Sequence, residues 1–222
     1  MERNLVILPD PRSLASAAAH FVADHARRAV ADHGRFVFAV SGGTTPWAMF
    51  AELAGEDVPW AEVAIYQVDE RVAPDGDPDR NLTHLRQALG PAPADVHPMA
   101  VGAADLEAAA AAYGAELPDH VDLVHLGLGP DGHTASLVPG DPVLGVTDRP
   151  VAVTLPYQGH RRMTLTYPGL ARAREVMWLV SGADKREALA KLRAGDRSVP
   201  ASGVEAGHAT ILADAAAAGT AA

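Results

Sequence analysis

The stretch Phe36-Val37-Phe38-Ala39-Val40-Ser41-Gly42-Gly43-Thr44-Thr45-Pro46 holds a complete strand-to-helix transition. Phe36–Val40 is an unbroken apolar run, the pattern of a strand buried on both faces. Ser41, Gly42 and Gly43 interrupt it. Pro46 then stands where a first-turn proline is favoured, and it opens a helix to about Ala54. The same alternation extends outward in both directions. Upstream, residues 5–8 read as a strand and 13–32 as a long helix, with Gly34 suited to its C-terminal stop. Downstream, residues 63–68 read as a strand, and 69–80, with Pro74, Gly76 and Pro78, as loop. Residues 81–89 and 105–117 read as helices, 122–128 as a strand, and 151–155 and 163–166 as shorter strands. Residues 175–180 form a further strand, 183–194 a helix ended by Gly195, and 209–213 a last strand. The low-complexity tail, 215–222, is expected to be a frayed helix. This alternation predicts an α/β fold: a mostly parallel, doubly wound sheet with helices on both faces. There is no internal repeat and no dividing linker, so one domain is expected over residues 1–222.

Composition narrows the function classes. The chain has 222 residues, 48% of them hydrophobic and 21% charged, which suits a packed core rather than disorder. The formal net charge of -10 argues against a nucleic-acid partner, whose phosphates would be repelled. An acidic protein binds an anion only through local donors, so backbone amides and a few placed cations are the features to seek. The absence of cysteine excludes disulfides, thiolate metal sites and Cys nucleophiles. Met1-Glu2-Arg3-Asn4-Leu5-Val6 lacks the apolar run of a signal peptide, and no stretch is long enough to span a bilayer. A cytoplasmic protein with no membrane partner is expected.

In a parallel sheet, ligands bind beyond the carboxyl ends of the strands, so the residues after each strand carry the chemistry. Ser41, Gly42, Gly43, Thr44 and Thr45 have the makings of a phosphate cradle at a helix start, or of an ordinary turn with Thr45 as N-cap. The spacing is not that of a P-loop, and its Lys is missing. Asp69, Glu70 and Arg71 can position a polar substrate or form a surface ion-pair cluster. The nearby Asp75–Asp79 run resembles a calcium loop, but Arg80 and Arg86 occupy its glycine and glutamate positions. His133 follows Asp131 in a glycine-rich loop, and imidazole is suited to proton transfer near neutral pH. His125, inside a strand, reads as a satisfied core residue. Gly127, Gly129 and Gly132 match a dinucleotide fingerprint, but Asp131 would repel a pyrophosphate and Pro139 stops a following helix. Lys185, in the first turn of a helix, opposes the helix dipole unless it meets an anion there. Of Arg161 and Arg162, strand alternation lets only one face a ligand.

Together these segments closely resemble the 6-phosphogluconolactonase family. The likeness rests on Ser41–Pro46, Val68-Asp69-Glu70-Arg71, the run from Leu126 through Gly-Asp-Gly-His-Thr-Ala-Ser to Gly140, and Arg162–Thr166. The 182–185 segment fits as well, and the likeness covers about residues 5–214. It implies a fold shared with glucosamine-6-phosphate deaminases, a modified Rossmann arrangement. It also implies hydrolysis of 6-phosphogluconolactone in the oxidative pentose phosphate pathway, with no metal and no organic cofactor. The chain departs from the family's pattern at Arg80-Asn81, where Ser-Asn is usual, and at Thr210-Ile211, where Trp is frequent.

For that reaction His133 is the expected general base, with Asp131 orienting it and Arg71 stabilising charge at the lactone carbonyl or ring oxygen. Phosphate is expected on the Ser41–Thr45 amides and hydroxyls, neutralised by Arg162 and Lys185. Asp69, Glu70 and Asn81 are the expected sugar contacts. The expected partner is a phosphosugar lactone bound by a monomer or small homo-oligomer. The competing readings are a deaminase-type isomerase and a non-catalytic phosphosugar sensor.

Overall fold

The computed structural model describes residues 3–220. The expectations for Met1, Glu2, Ala221 and Ala222 lie outside the described residues. The first half of the chain runs β1 (Arg3–Leu8), α1 (Pro11–His33), β2 (Phe36–Val40), α2 (Thr44–Leu53), β3 (Val63–Gln67), β4 (Asp69–Arg71), α3 (Asn81–Leu89), β5 (Asp95–His97) and α4 (Leu106–Glu116). The second half runs β6 (Val121–Gly127), β7 (Val151–Val153), β8 (Arg162–Leu165), α5 (Tyr167–Leu170), β9 (Ala173–Val180), α6 (Arg186–Ala194), β10 (His208–Asp214) and α7 (Ala215–Ala218).

Seven strands form a wholly parallel sheet in the order β1-β10-β9-β6-β2-β3-β5. Period-two alternation sends successive side chains to opposite layers. Phe36, Phe38, Val63, Ile65, Met177 and Leu179 enter a core beneath α1, α2 and α3. Ala39, Ala64, Tyr66, Val176 and Trp178 enter the other core, which α4, α6 and a second sheet cover. Both faces are covered, as the apolar strand runs require. Helix α1 packs closely because its inner stripe is alanine: Ala15, Ala18, Ala19, Ala23 and Ala26 are all buried. Asp10 caps it by accepting the Ser13 N–H at 2.7 Å, and Gly34 closes it at φ 83°.

The second sheet is antiparallel, in the order β4-β8-β7. It corrects the expectation that residues 69–80 are all loop. Asp69–Arg71 is a strand paired with β8, and its polar residues concealed it from a pattern that searches for apolar runs. Strand β5 was also unread; it is three residues long at the sheet edge. The helix expected over 183–194 is divided into a 3-10 turn, Ala183–Lys185, and α6. The tail is not frayed over Ala215–Ala218: Asp214 caps this turn by accepting the Ala217 N–H at 2.7 Å, and Ala217 is buried. No helix among the described residues is long and apolar enough to cross a membrane.

Candidate active site

At the carboxyl end of β2 the chain turns through Ser41, Gly42 and Gly43 into α2. The N-cap of α2 is Gly43, at φ 131°, and no side chain caps the helix. Thr45 is therefore not the cap. The first amides of a ten-residue helix are left for another acceptor, the arrangement that favours an anion. Gly42 is required by close approach, because a Cβ there would lie 1.9 Å from Asn81 Oδ1. The Ser41 N–H donates to His125 Nδ1 at 3.3 Å. His125 is wholly buried, and burial pushes its imidazole down to about 3, so it is neutral. The core reading of His125 holds, but only half satisfied: its Nε2 has no partner.

The second sheet brings two cations side by side. Arg71 on β4 stands opposite Arg162 on β8 in the antiparallel register. Arg162 is buried, whereas Arg161, on the other face, reaches only the Thr154 carbonyl at 3.5 Å. Arg162 donates to Gln158 Oε1 at 3.3 Å, and its Nε has no partner. Arg71 donates to the Asp79 carbonyl at 2.7 Å. Between these strands Asp69 is buried, with Oδ2 accepting the Ser136 hydroxyl at 2.6 Å. Burial pushes the Asp69 carboxyl up, against the pull of Ser136 and Arg162.

The loop after β6 supplies an acid–imidazole pair. Asp131 Oδ1 accepts His133 Nδ1–H at 2.5 Å and the His133 backbone N–H at 3.1 Å. Burial opposes charge on Asp131, but the His133 bonds outweigh it and hold the carboxyl below its ordinary range. An ionised carboxylate only accepts, so Nδ1 carries a proton, and in the neutral imidazole Nε2 is then the nitrogen with the lone pair. Gly129 makes room for this pair: a Cβ there would lie 2.1 Å from His133 Nδ1 and 2.7 Å from Asp131 Oδ1.

After β9, Ser181 donates to Asp214 Oδ2 at 2.6 Å and the Gly182 N–H reaches the same carboxylate at 3.1 Å. This fixes the turn that presents Lys185, whose ammonium contacts Asp184 at 2.9 Å. One cleft of about 590 Å³ joins these strand ends. Ser41, Gly42, Gly43, Thr44, Thr45, Asp69, Arg71, Asn81, His133, Arg162 and Lys185 all line it. Among the described residues, no group of three or more His, Asp or Glu side chains is placed to hold a metal ion.

A family model described as glucosamine-6-phosphate isomerases/6-phosphogluconolactonase matches residues 9–213. The chain belongs to this family. It is 38% identical to the 6-phosphogluconolactonase of a Synechocystis strain, over 74% of each chain. Its fold superposes on the 6-phosphogluconolactonase of Thermotoga maritima with a TM-score of 0.87, at 24% identity over 96% of this chain and 100% of that one. It superposes on a monomeric glucosamine-6-phosphate deaminase with a TM-score of 0.85, at 20% identity over 97% and 99% of the two chains.

Within this family fold two expected site residues lie behind the cleft rather than on it. Asp131 lies behind His133 and bonds to its ring. Glu70 is a correction. It is fully buried, with Oε1 accepting the Arg71 and Asn81 N–H groups and Oε2 accepting the Leu82 N–H and the Gln67 amide. Its acceptor capacity is consumed in holding the start of α3 to β4, which leaves none for a sugar. Arg80, where the family usually has Ser, is buried with its Nε 3.3 Å from Glu70 Oε2, so the substitution balances this carboxylate. Thr210, where Trp is frequent, donates its hydroxyl to Glu175 at 2.9 Å. Sequence reasoning missed Gln158 and Ser181, which line the cleft, and assigned no role to Ser136, which holds Asp69. Only Gly159, a turn signal next to Gln158, marked that part of the wall.

Proposed function

We propose that this protein hydrolyses 6-phospho-D-glucono-1,5-lactone to 6-phospho-D-gluconate, the second step of the oxidative pentose phosphate pathway. The observation that carries this reading is that His133, backed by Asp131, shares one cleft with open helix amides and three cations, Arg71, Arg162 and Lys185. The names of the relatives support the lactonase over the deaminase within the family.

The phosphate binds at the amides of Thr44 and Thr45, with Arg162 and Lys185 neutralising it. This remote grip orients the lactone carbonyl toward His133. His133 Nε2 takes a proton from water as the water oxygen bonds to the carbonyl carbon. Asp131 stabilises the imidazolium that forms. Negative charge on the former carbonyl oxygen falls to Arg71. The intermediate collapses by breaking the bond to the ring oxygen, which receives the proton back from His133. The new carboxylic acid then loses a proton to solvent. Asp69 and Asn81 face the sugar hydroxyls.

The test measures acid release from the phosphorylated lactone above its spontaneous rate, with ammonia release from glucosamine 6-phosphate in parallel. His133→Ala is expected to lower kcat by about 10²–10⁴-fold with little change in KM. Ammonia release without lactone hydrolysis overturns the reading in favour of the deaminase. Tight phosphosugar binding with no turnover overturns it in favour of a sensor.

A further inference from the structure

Between β7 and β8 the chain makes a tight hairpin, Tyr157-Gln158-Gly159-His160, closed by mutual bonds between Tyr157 and His160. Nothing in the reaction described above uses it. Yet its first two residues touch both ends of the site. The Tyr157 hydroxyl donates to Asp131 Oδ2 at 3.3 Å, the carboxylate oxygen that His133 does not occupy. The His133 ring meets the Tyr157 ring edge-on at 5.6 Å between centroids. The Arg162 guanidinium lies over the same ring, 5.1 Å from its centroid. Gln158, which lines the cleft, accepts from Arg162 and holds a φ of 50°, an unfavourable backbone for a residue with a side chain. Such strain persists only where the surroundings impose it, and it clusters at working sites.

We propose that Tyr157 is a positioning residue: its hydroxyl fixes the Asp131 carboxylate against His133, and its ring fixes the Arg162 guanidinium, so that base and phosphate anchor are held as one unit. This rests on the lactonase reading for its kinetic consequence and not for its geometry. The phosphate of a 6-phosphosugar lies at the opposite end from the reacting carbon. An enzyme that reads both must hold its two contact groups at a fixed separation, and one rigid aromatic side chain spans them at little entropic cost.

The two functions of the side chain separate experimentally. Tyr157→Phe keeps the ring and removes the hydroxyl. It is expected to lower kcat roughly tenfold, the scale for losing a hydrogen bond to a charged group, with KM held. Freed of this donor, Asp131 stabilises the imidazolium more strongly, so the acid limb of the kcat/KM profile moves to higher pH. Tyr157→Leu removes the ring too and is expected to raise KM for the phosphorylated lactone by a further three- to tenfold or so. A second measurement does not depend on turnover. Burial, and then the Asp131 charge, raise the Tyr157 phenol above its ordinary range. Ultraviolet titration, with Tyr157→Phe subtracted to isolate this phenol, is expected to show it ionising at lower pH in Asp131→Asn. A wild-type kcat and acid limb in Tyr157→Phe overturns the proposal, as does a phenol indifferent to Asp131→Asn. A wild type that hydrolyses no lactone overturns the lactonase reading instead, and the phenol titration still decides whether the two side chains are coupled.

Discussion

Gly129 carries no functional group, yet Gly129→Ala should nearly silence the enzyme. Its backbone does not occupy the left-handed region, so alanine can adopt its conformation without strain. The turn bonds it makes, from its N–H to the His133 carbonyl at 2.8 Å and from the Gly132 N–H to its own carbonyl at 3.0 Å, involve no side chain and survive. The added methyl, however, would stand 2.1 Å from His133 Nδ1 and 2.2 Å from its Cε1. Ordinary nonbonded contact needs about 3.5 Å, so the imidazole must retreat by roughly 1–1.5 Å. The Asp131 oxygen that receives Nδ1–H lies 2.7 Å from the same methyl and cannot simply follow. A displacement of about 1 Å costs on the order of 10²-fold in rate, near 2.7 kcal/mol of transition-state stabilisation. The floor is loss of the base altogether, about 10⁴-fold. The assay is kcat for the phosphorylated lactone, corrected for spontaneous opening, with the melting temperature measured beside it. KM should hold, because the phosphate-binding groups lie on other loops. Gly145→Ala, where an added Cβ meets nothing within 4 Å, is the control and should match wild type. A folded Gly129→Ala protein with kcat within twofold of wild type would refute both the His133 assignment and the pairing with Asp131.

Arg162→Ala and Lys185→Ala should raise KM for the phosphorylated lactone and reduce its advantage over the unphosphorylated one; variants that still discriminate as wild type does would show that the cradle lies elsewhere. Glu70→Gln should destabilise the fold by about 3–5 kcal/mol in denaturant unfolding, because it leaves the buried Arg80 with no carboxylate but the exposed Asp75, 3.8 Å away. An unchanged unfolding midpoint would return Glu70 to the list of substrate contacts. Far from the cleft, His25 donates to Glu175 at 2.9 Å; burial lowers its imidazole, but the bonds to Glu175 and to the Phe21 carbonyl outweigh that and leave it raised. Its stabilising contribution is complete below the unfolded value near 6.5 and fades as pH rises through the raised folded value. The difference in melting temperature between wild type and His25→Gln should therefore shrink from pH 6 to pH 9, and a constant difference would contradict the pairing.

The parallel sheet was legible because its strands are buried on both faces and so are written in unbroken apolar residues, as at Phe36–Val40 and Val176–Val180. The glycine loops were legible for a related reason: where backbone or side chains approach closely, as Asn81 does to Gly42, no other residue fits. The second sheet was hidden because its strand β4 is Asp69-Glu70-Arg71, whose burial depends on partners contributed by distant segments. No local pattern distinguishes a carboxylate that will accept four hydrogen bonds from one that will face water. Glu70 was accordingly misplaced beside Asp69, its neighbour in sequence and its opposite in orientation. Gln158 and Tyr157 were hidden for a different reason. Their roles arise from a hairpin whose register sets them against Asp131 and Arg162, and neither residue type signals chemistry on its own.

The antiparallel pairing of β4 with β8 sets two cations against each other at the cleft. It places Arg71 directly opposite Arg162, and like charges in that relation are destabilising. Burial of Arg162 deepens the cost and pushes its guanidinium down, against the pull of the Asp69 charge and with a smaller push from Arg71. Asp69, the β4 carboxylate on the same face as Arg71, is itself driven toward its neutral form by burial and already accepts the Ser136 hydroxyl. The chain's formal charge of -10 offers no relief, because surface carboxylates beyond about 10 Å are screened by salt. A fold selected for stability alone would put an apolar residue at one of these positions. Both cations instead line the cleft, beside the start of a helix that no side chain caps. The surplus is balanced when an anion enters, and a phosphosugar that becomes an acid at its other end brings two: the phosphate it arrives with and the charge it develops as the lactone opens.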